Sequence, residues 1–220
     1  LLVTEINAQG KQLSQTIKTP PINGENLHLT IDITLQQASY QAFNEESGAA
    51  IAVNIDNGEI LAMVSKPGYD INDFINGISH EKYRALAESP DKPLFDRSLK
   101  GGYEPGSTIK PYIALAGLYY GIITREYTMV SNGVYQIPNQ KRKYHDWKQG
   151  GHGKVNVINS LAESVNVFFY DLAYQLGIDR IHAFLKPFKF GQLTGIDTHG
   201  EKQGILPSRE WKEKNRNMIW

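Results

Sequence analysis

The chain has 220 residues, 40% of them hydrophobic, and its 23 lysines and arginines balance 23 aspartates and glutamates. That supports a sizeable packed core and argues against a nucleic-acid partner, which usually meets a basic excess. Cysteine is absent, which excludes disulfides, thiolate metal sites and a cysteine nucleophile without fixing the compartment.

No run reaches the ~18 apolar residues of a membrane span. The longest, Tyr112 to Ile123, is interrupted by glycine. "LLVTEINAQGKQLSQ" lacks the basic start and apolar middle of a signal peptide. Both ends read as cut, so a membrane anchor is expected outside this sequence if the protein has one.

Residues 1–28 alternate weakly and run into "TPPINGEN", a linker or turn by its prolines, glycine and asparagines. "LHLTIDITLQQASYQAF" predicts a strand and then a helix capped by Asp32 or Thr34. "GAAIAVNIDNGEILAMVS" predicts two strands around a tight Asn57-Gly58 turn, apolar enough for a sheet covered on both faces. Lys66 to Gly102 is polar, with turns at "KPGYD" and "SPDKP", and reads as an ordered surface excursion. A buried helix follows in "STIKPYIALAGLYYG", then loops and short strands to Val157.

"VINSLAESVNVFFYDLAYQLG" places Leu161, Val165, Phe168, Leu172 and Leu176 at helical spacing, with Gly177 as its stop. "DRIHAFLKPFKFG" predicts a further short helix capped by Asp179. Helices among a few strands indicate an α+β domain, helices packed on an antiparallel sheet.

Chemistry concentrates at the head of the buried helix. Pro105 and Gly106 force a turn, so the helix starts at or just after Ser107. Pro111 is tolerated in a first turn, where backbone N–H groups lack internal partners. Ser107 and Lys110, three apart, face one side. A serine hydroxyl needs a base, and a lysine desolvated at a helix N-terminus has the lowered pKa to be one. The alternative is a capping serine beside a surface lysine.

The second constellation is Ser164 and Asn166 in "ESVN". Residues two apart do not share a helix face. If both act on one substrate, the helix must break near Ser164, which serine and asparagine favour by competing for backbone hydrogen bonds. The alternative is two polar residues on an exposed face.

Ser-x-x-Lys followed by Ser-x-Asn is the pattern of the penicillin-interacting serine enzymes. With "GAAIAVNIDNGEILAMVSKPGYDINDF", "YEPGSTIKPY", "KYHDWKQGGHGKVNV", "ESVNVFFYDLAYQLGIDRI" and "TGID", nearly the whole chain resembles the penicillin-binding protein 2 family. These are class B monofunctional peptidoglycan D,D-transpeptidases of the bacterial elongation machinery. The resemblance implies that residues 1–28 end a non-catalytic N-terminal domain and that 29–220 open the transpeptidase domain.

It also implies roles. Ser107 would attack a D-Ala-D-Ala carbonyl of a stem peptide and form an acyl-enzyme, with its own N–H as half of an oxyanion hole. Lys110 would be general base. Ser164 would relay a proton to the leaving amine, and Asn166 would hold the substrate amide. β-Lactams would acylate Ser107 stably. The implied setting is a catalytic domain in the periplasm and an anchor in the inner membrane. The implied partners are elongation-complex membrane proteins, including a glycan polymerase.

The family's third motif, Lys-Thr/Ser-Gly on a strand, is absent after Asn166. The domain is therefore expected to be incomplete here, and residues 1–220 alone to be acylated poorly. A phosphate loop in "GGHGK" is rejected, because Lys148 and Val155 stand where glycine and Ser/Thr are needed. Asp146 and His152, with His145 nearby, are candidate zinc ligands. Some relatives carry zinc there with further Asp and Cys ligands, but Ser131 and Val165 occupy those places, so no cofactor is expected. Asp146 and His152 are otherwise loop braces. A serine β-lactamase and a non-catalytic β-lactam sensor are the competing functions.

Overall fold

A computed structural model describes the whole chain except Pro21, Asn23, Asn76 and residues 217–220. Part of the "TPPINGEN" linker and the end of "EKNRNMIW" lie outside the described residues. The chain divides into two compact units, Leu1–Val64 and Ser65 onward.

In the first unit, β1 (Leu2–Ile6) and β2 (Gln12–Ile17) form an antiparallel hairpin. Helix α1 (Ile33–Ala42) is capped by Asp32, whose Oδ1 accepts from Thr34 N and Leu35 N at 2.8 and 3.0 Å. Strands β3 (Gly48–Val53) and β4 (Ile60–Lys66) pair as a hairpin. Gln36 ties α1 to β4, donating to Met63 O at 2.8 Å and accepting from Met63 N at 2.7 Å.

Two expectations change here. The connection is a six-residue loop closed by Asn54 and Glu59 rather than a tight Asn-Gly turn, and only Gly58 of that pair has positive φ. Nor is the sheet covered on both faces: Ala62 and Val64 are buried, while Ile51 and Val53 are half exposed.

In the second unit the polar excursion carries helices. A 3₁₀ turn spans Ile71–Phe74, α2 spans His80–Glu88 and α3 spans Arg97–Lys100. Ser79 caps α2 by accepting from Lys82 N, and Asp96 caps α3 through Ser98 N and Leu99 N. A second 3₁₀ turn, Gly106–Ile109, leads into α4 (Lys110–Tyr119). This helix is buried on one side only: Ile113, Ala114 and Ala116 are inside, while Leu115, Leu118 and Tyr119 face out.

Strands β5 (Thr128–Ser131) and β8 (Gly153–Asn156) pair antiparallel, and so do β6 (Val134–Gln136) and β7 (Lys143–His145). The predicted long helix is two. α5 covers Val157–Ala162 and α6 covers Asn166–Leu185. Within α6 the helix stops at Gly177, as the sequence suggests: its non-helical φ of 71° and ψ of 160° make a kink, and a second short helical segment follows. Asp179 lies at the start of that second segment, where its carboxylate accepts from Arg209 Nε on α7 (Arg209–Arg216) at 2.9 Å rather than serving as the expected cap.

The core joins Ile113, Ala114 and Ala116 of α4 to Val155 of β8 and to Val167, Phe168, Phe169, Leu172 and Leu176 of α6. Gly117 lets α4 and α6 meet closely, since a Cβ there would stand 2.8 Å from Leu172 Cδ1.

Candidate active site

Ser107 sits in the 3₁₀ turn and Lys110 at the first position of α4. Residues three apart eclipse in a 3₁₀ turn, so both side chains leave on one side. They experience different surroundings: Ser107 is exposed, whereas Lys110 is 8% exposed.

The chain breaks between α5 and α6, as one shared substrate demands. Ser164 has φ of 54°, a left-handed conformation uncommon outside glycine. That turn aims Ser164 and Asn166 at the same ammonium. Lys110 Nζ donates to Ser164 O at 2.7 Å, Ser164 Oγ at 3.0 Å and Asn166 Oδ1 at 2.6 Å. Ser164 Oγ in turn donates to Ser107 Oγ at 3.0 Å. All four predicted residues are brought together, but Ser164 stands between the serine and lysine of the first motif.

Burial lowers the Lys110 pKa from 10.5, with the Asp146 carboxylate opposing the shift. Phe169, 5% exposed, places its ring centroid 5.5 Å from Nζ and forms part of the dry wall. Sequence reasoning missed it, because an aromatic inside an apolar helix carries no signal beyond packing.

Asp146 and His152 meet side by side, Nε2 3.5 Å from Oδ1, with both side chains fully buried. Their other contacts are to protein. Asp146 accepts from Trp147 N at 2.8 Å and Val167 N at 3.0 Å, and His152 Nδ1 lies 2.7 Å from Glu163 Oε2. Burial pushes the Asp146 pKa up, but the N–H groups of Val167, Asn166 and Trp147 and the facing His152 hold it below 3.8. Among the described residues no group of three or more His, Cys, Asp or Glu is placed to hold a metal ion. Ser131 and Val165 are fully buried and offer no carboxylate or thiolate, so the donor set does not fit a four-ligand zinc site.

Trp147 is largely exposed, yet its indole donates to Glu163 O at 3.0 Å. Tyr103 is also exposed, while Tyr144 packs against Tyr170 with ring centroids 5.6 Å apart. The Glu163 contacts were not foreseen, although its place beside Ser164 was visible.

Comparison with known proteins gives the family and the fold. The penicillin binding protein transpeptidase domain matches residues 48–218. The peptidoglycan D,D-transpeptidase MrdA of Escherichia coli K12 is 41% identical over 216 residues, 98% of this chain and 34% of that protein. The chain thus spans about a third of the length of such curated relatives. A crystal structure of Pseudomonas aeruginosa PBP2 in complex with WCK 5153 superposes with a TM-score of 0.83 at 46% identity, covering 87% of this chain and 44% of that one. The complex of PBP2 and MreC from Helicobacter pylori gives 0.85 at 33% identity, covering 98% and 40%. Family match, fold and the Ser-x-x-Lys and Ser-x-Asn motifs coincide: the chain belongs to the penicillin-binding protein transpeptidase family.

Proposed function

We propose that this chain carries the nucleophile, base and proton relay of a peptidoglycan D,D-transpeptidase. The observation that carries the reading is the continuous path Ser107 Oγ–Ser164 Oγ–Lys110 Nζ, with 3.0 Å at each step. Three acceptors match the three N–H donors of a resting ammonium. Once Lys110 is neutral, its lone pair turns to Ser164. The Ser107 proton passes to Ser164, whose own proton passes to Lys110, and Ser107 Oγ bonds to the stem-peptide carbonyl carbon.

Collapse of the tetrahedral intermediate breaks the amide C–N bond, and the relay run backwards protonates the departing D-Ala amine. An amine of a second stem peptide then repeats the cycle in reverse and takes the acyl group. Asn166, with its oxygen held by Lys110, keeps two amide N–H donors for the substrate backbone. The Ser107 N–H, at the start of the 3₁₀ turn, would stabilise the oxyanion. β-Lactams would acylate the same hydroxyl.

The MrdA relatives and the PBP2–MreC complex support placing the protein in a wall-elongation assembly, with a glycan polymerase and other membrane proteins as partners. The catalytic part would lie in the periplasm, with an inner-membrane anchor elsewhere in the protein. No helix among the described residues is long and apolar enough to cross a membrane. Residues 1–28 would belong to a non-catalytic region and 29–220 to the transpeptidase domain.

The test is product analysis with a pentapeptide donor and an amine acceptor, using the intact protein that carries this sequence. The expected result is a cross-linked dimer with equimolar D-Ala release, both lost in Ser107→Ala. Multiple-turnover hydrolysis of β-lactam without any cross-link would establish a β-lactamase instead.

A further inference from the structure

The hydroxyl that links Ser107 to Lys110 belongs to a residue in an unfavourable backbone conformation. A non-glycine residue at φ 54° persists when its surroundings fix it. α6 cannot supply that restraint, because its N-cap is Val165, which has no side chain able to accept from the free N–H groups. Part of the restraint is the end of α5, where Ser164 N donates to Leu161 O at 3.3 Å and Val165 N to Ser160 O at 2.9 Å in a left-handed helix cap; the loop after β7 holds the residues on either side.

That loop grips the chain on both sides of Ser164. After it, Asp146 takes the place of a cap and accepts from Val167 N at 3.0 Å. Before it, the Trp147 indole donates to Glu163 O at 3.0 Å and His152 Nδ1 pairs with Glu163 Oε2 at 2.7 Å. The grips are joined: Trp147 N donates to Asp146 Oδ1, His152 packs against that carboxylate, and the Trp147 and His152 rings meet edge-on at 5.3 Å. The loop is itself anchored, Asp146 N donating to Gly133 O at 2.9 Å and His152 N to Ser131 O at 3.0 Å.

We infer that Asp146, Trp147 and His152 are positioning residues for acyl transfer, which clamp residues 163–167 and thereby hold the Ser164 hydroxyl between Ser107 and Lys110. None of the three hydrogen-bonds to Ser107 or Lys110; Asp146 reaches Lys110 only through its charge, which opposes the lowering of the lysine pKa, and the effect of Trp147 and His152 runs through the chain around Ser164. The inference rests on the acyl-transfer reading for its kinetic consequences and on geometry alone for its structural ones.

The test uses Asp146→Ala, Asp146→Asn and Trp147→Phe in the intact protein, each with Ser164 present and with Ser164→Ala. Acylation by a fluorescent penicillin is resolved into a saturation constant and a first-order rate, and amide hydrogen exchange is followed at residues 165–167. Expected are a first-order rate lowered about 10- to 100-fold in Asp146→Ala and Trp147→Phe at an unchanged saturation constant, and faster exchange at 165–167 than in α4. Asp146→Asn, which keeps an acceptor oxygen, should recover most of the rate. In the Ser164→Ala background Trp147→Phe should have little further effect, and Asp146→Ala no more than Asp146→Asn, which also removes the charge facing Lys110.

Equal losses in both backgrounds, a loss confined to the saturation constant, or unchanged exchange would overturn the clamp. If Asp146→Ala does not fold, Trp147→Phe at its exposed position decides. An intact protein that no penicillin labels would sink the acyl-transfer reading, while hydrogen exchange would still decide the clamp.

Discussion

Lys110 Nζ reaches across 54 residues of sequence to the Ser164 hydroxyl at 3.0 Å, and Ser164 rather than Lys110 touches Ser107. The base and the nucleophile at the head of α4 are thus connected through a serine from the turn between α5 and α6.

A base must be able to lose its proton. Lys110→Ala should lower the acylation rate about 10²- to 10⁴-fold, the usual range for a general base. Lys110→Arg should be no better, since a guanidinium stays protonated. Stopped-flow acylation of both variants checks this, and near-normal rates with arginine would mean that the side chain acts only as a fixed charge.

The same lysine sets a pH dependence. Burial lowers its pKa from 10.5, so the neutral, basic form appears at lower pH than for a free lysine. Acylation should rise with pH to a plateau whose inflection lies below 10.5. A rate–pH profile measures it, and an inflection absent from the range below 10.5 would contradict the role assigned to burial.

Phe168 is 1% exposed and packs on Phe169 and Tyr127 with centroids 5.4 and 6.2 Å away. Phe168→Ala should cost about 3–5 kcal/mol, the transfer of the ring plus the cavity left behind. Chemical denaturation gives the value. A loss under about 1 kcal/mol would show that the core around α6 does not depend on this ring.

Gly151 has φ of 81° and lies against the backbone of Ser131 and Gly133. Gly151→Ala adds strain and a clash that no side-chain rotation relieves, so a loss above about 1 kcal/mol is expected. Because this loop carries His152, the thermal midpoint and the acylation rate should fall together.

The sequence announced the site better than its surroundings. Ser107 and Lys110 were legible because three-residue spacing at a helix start has one geometric outcome. The break at Ser164 was legible because Ser164 and Asn166 could serve one substrate only off a regular helix. Helix α2 was hidden: "HEKYRALAE" has no buried residue, so the apolar periodicity that betrays a helix is weak there. The stop at Gly177 was legible because glycine supplies the positive φ of the break, but the Asp179 carboxylate goes to Arg209, a tertiary contact that no cap pattern encodes. The pairing of Glu163 with His152 and Trp147 is tertiary, and no local pattern encodes it.

Ser107 Oγ is the atom on which acyl transfer turns. The most direct measurement is peptide mass spectrometry of the intact protein after exposure to a penicillin. A single adduct on the peptide containing Ser107, absent in Ser107→Ala, is the predicted result. An adduct on any other residue, or persistent labelling of Ser107→Ala, would contradict it.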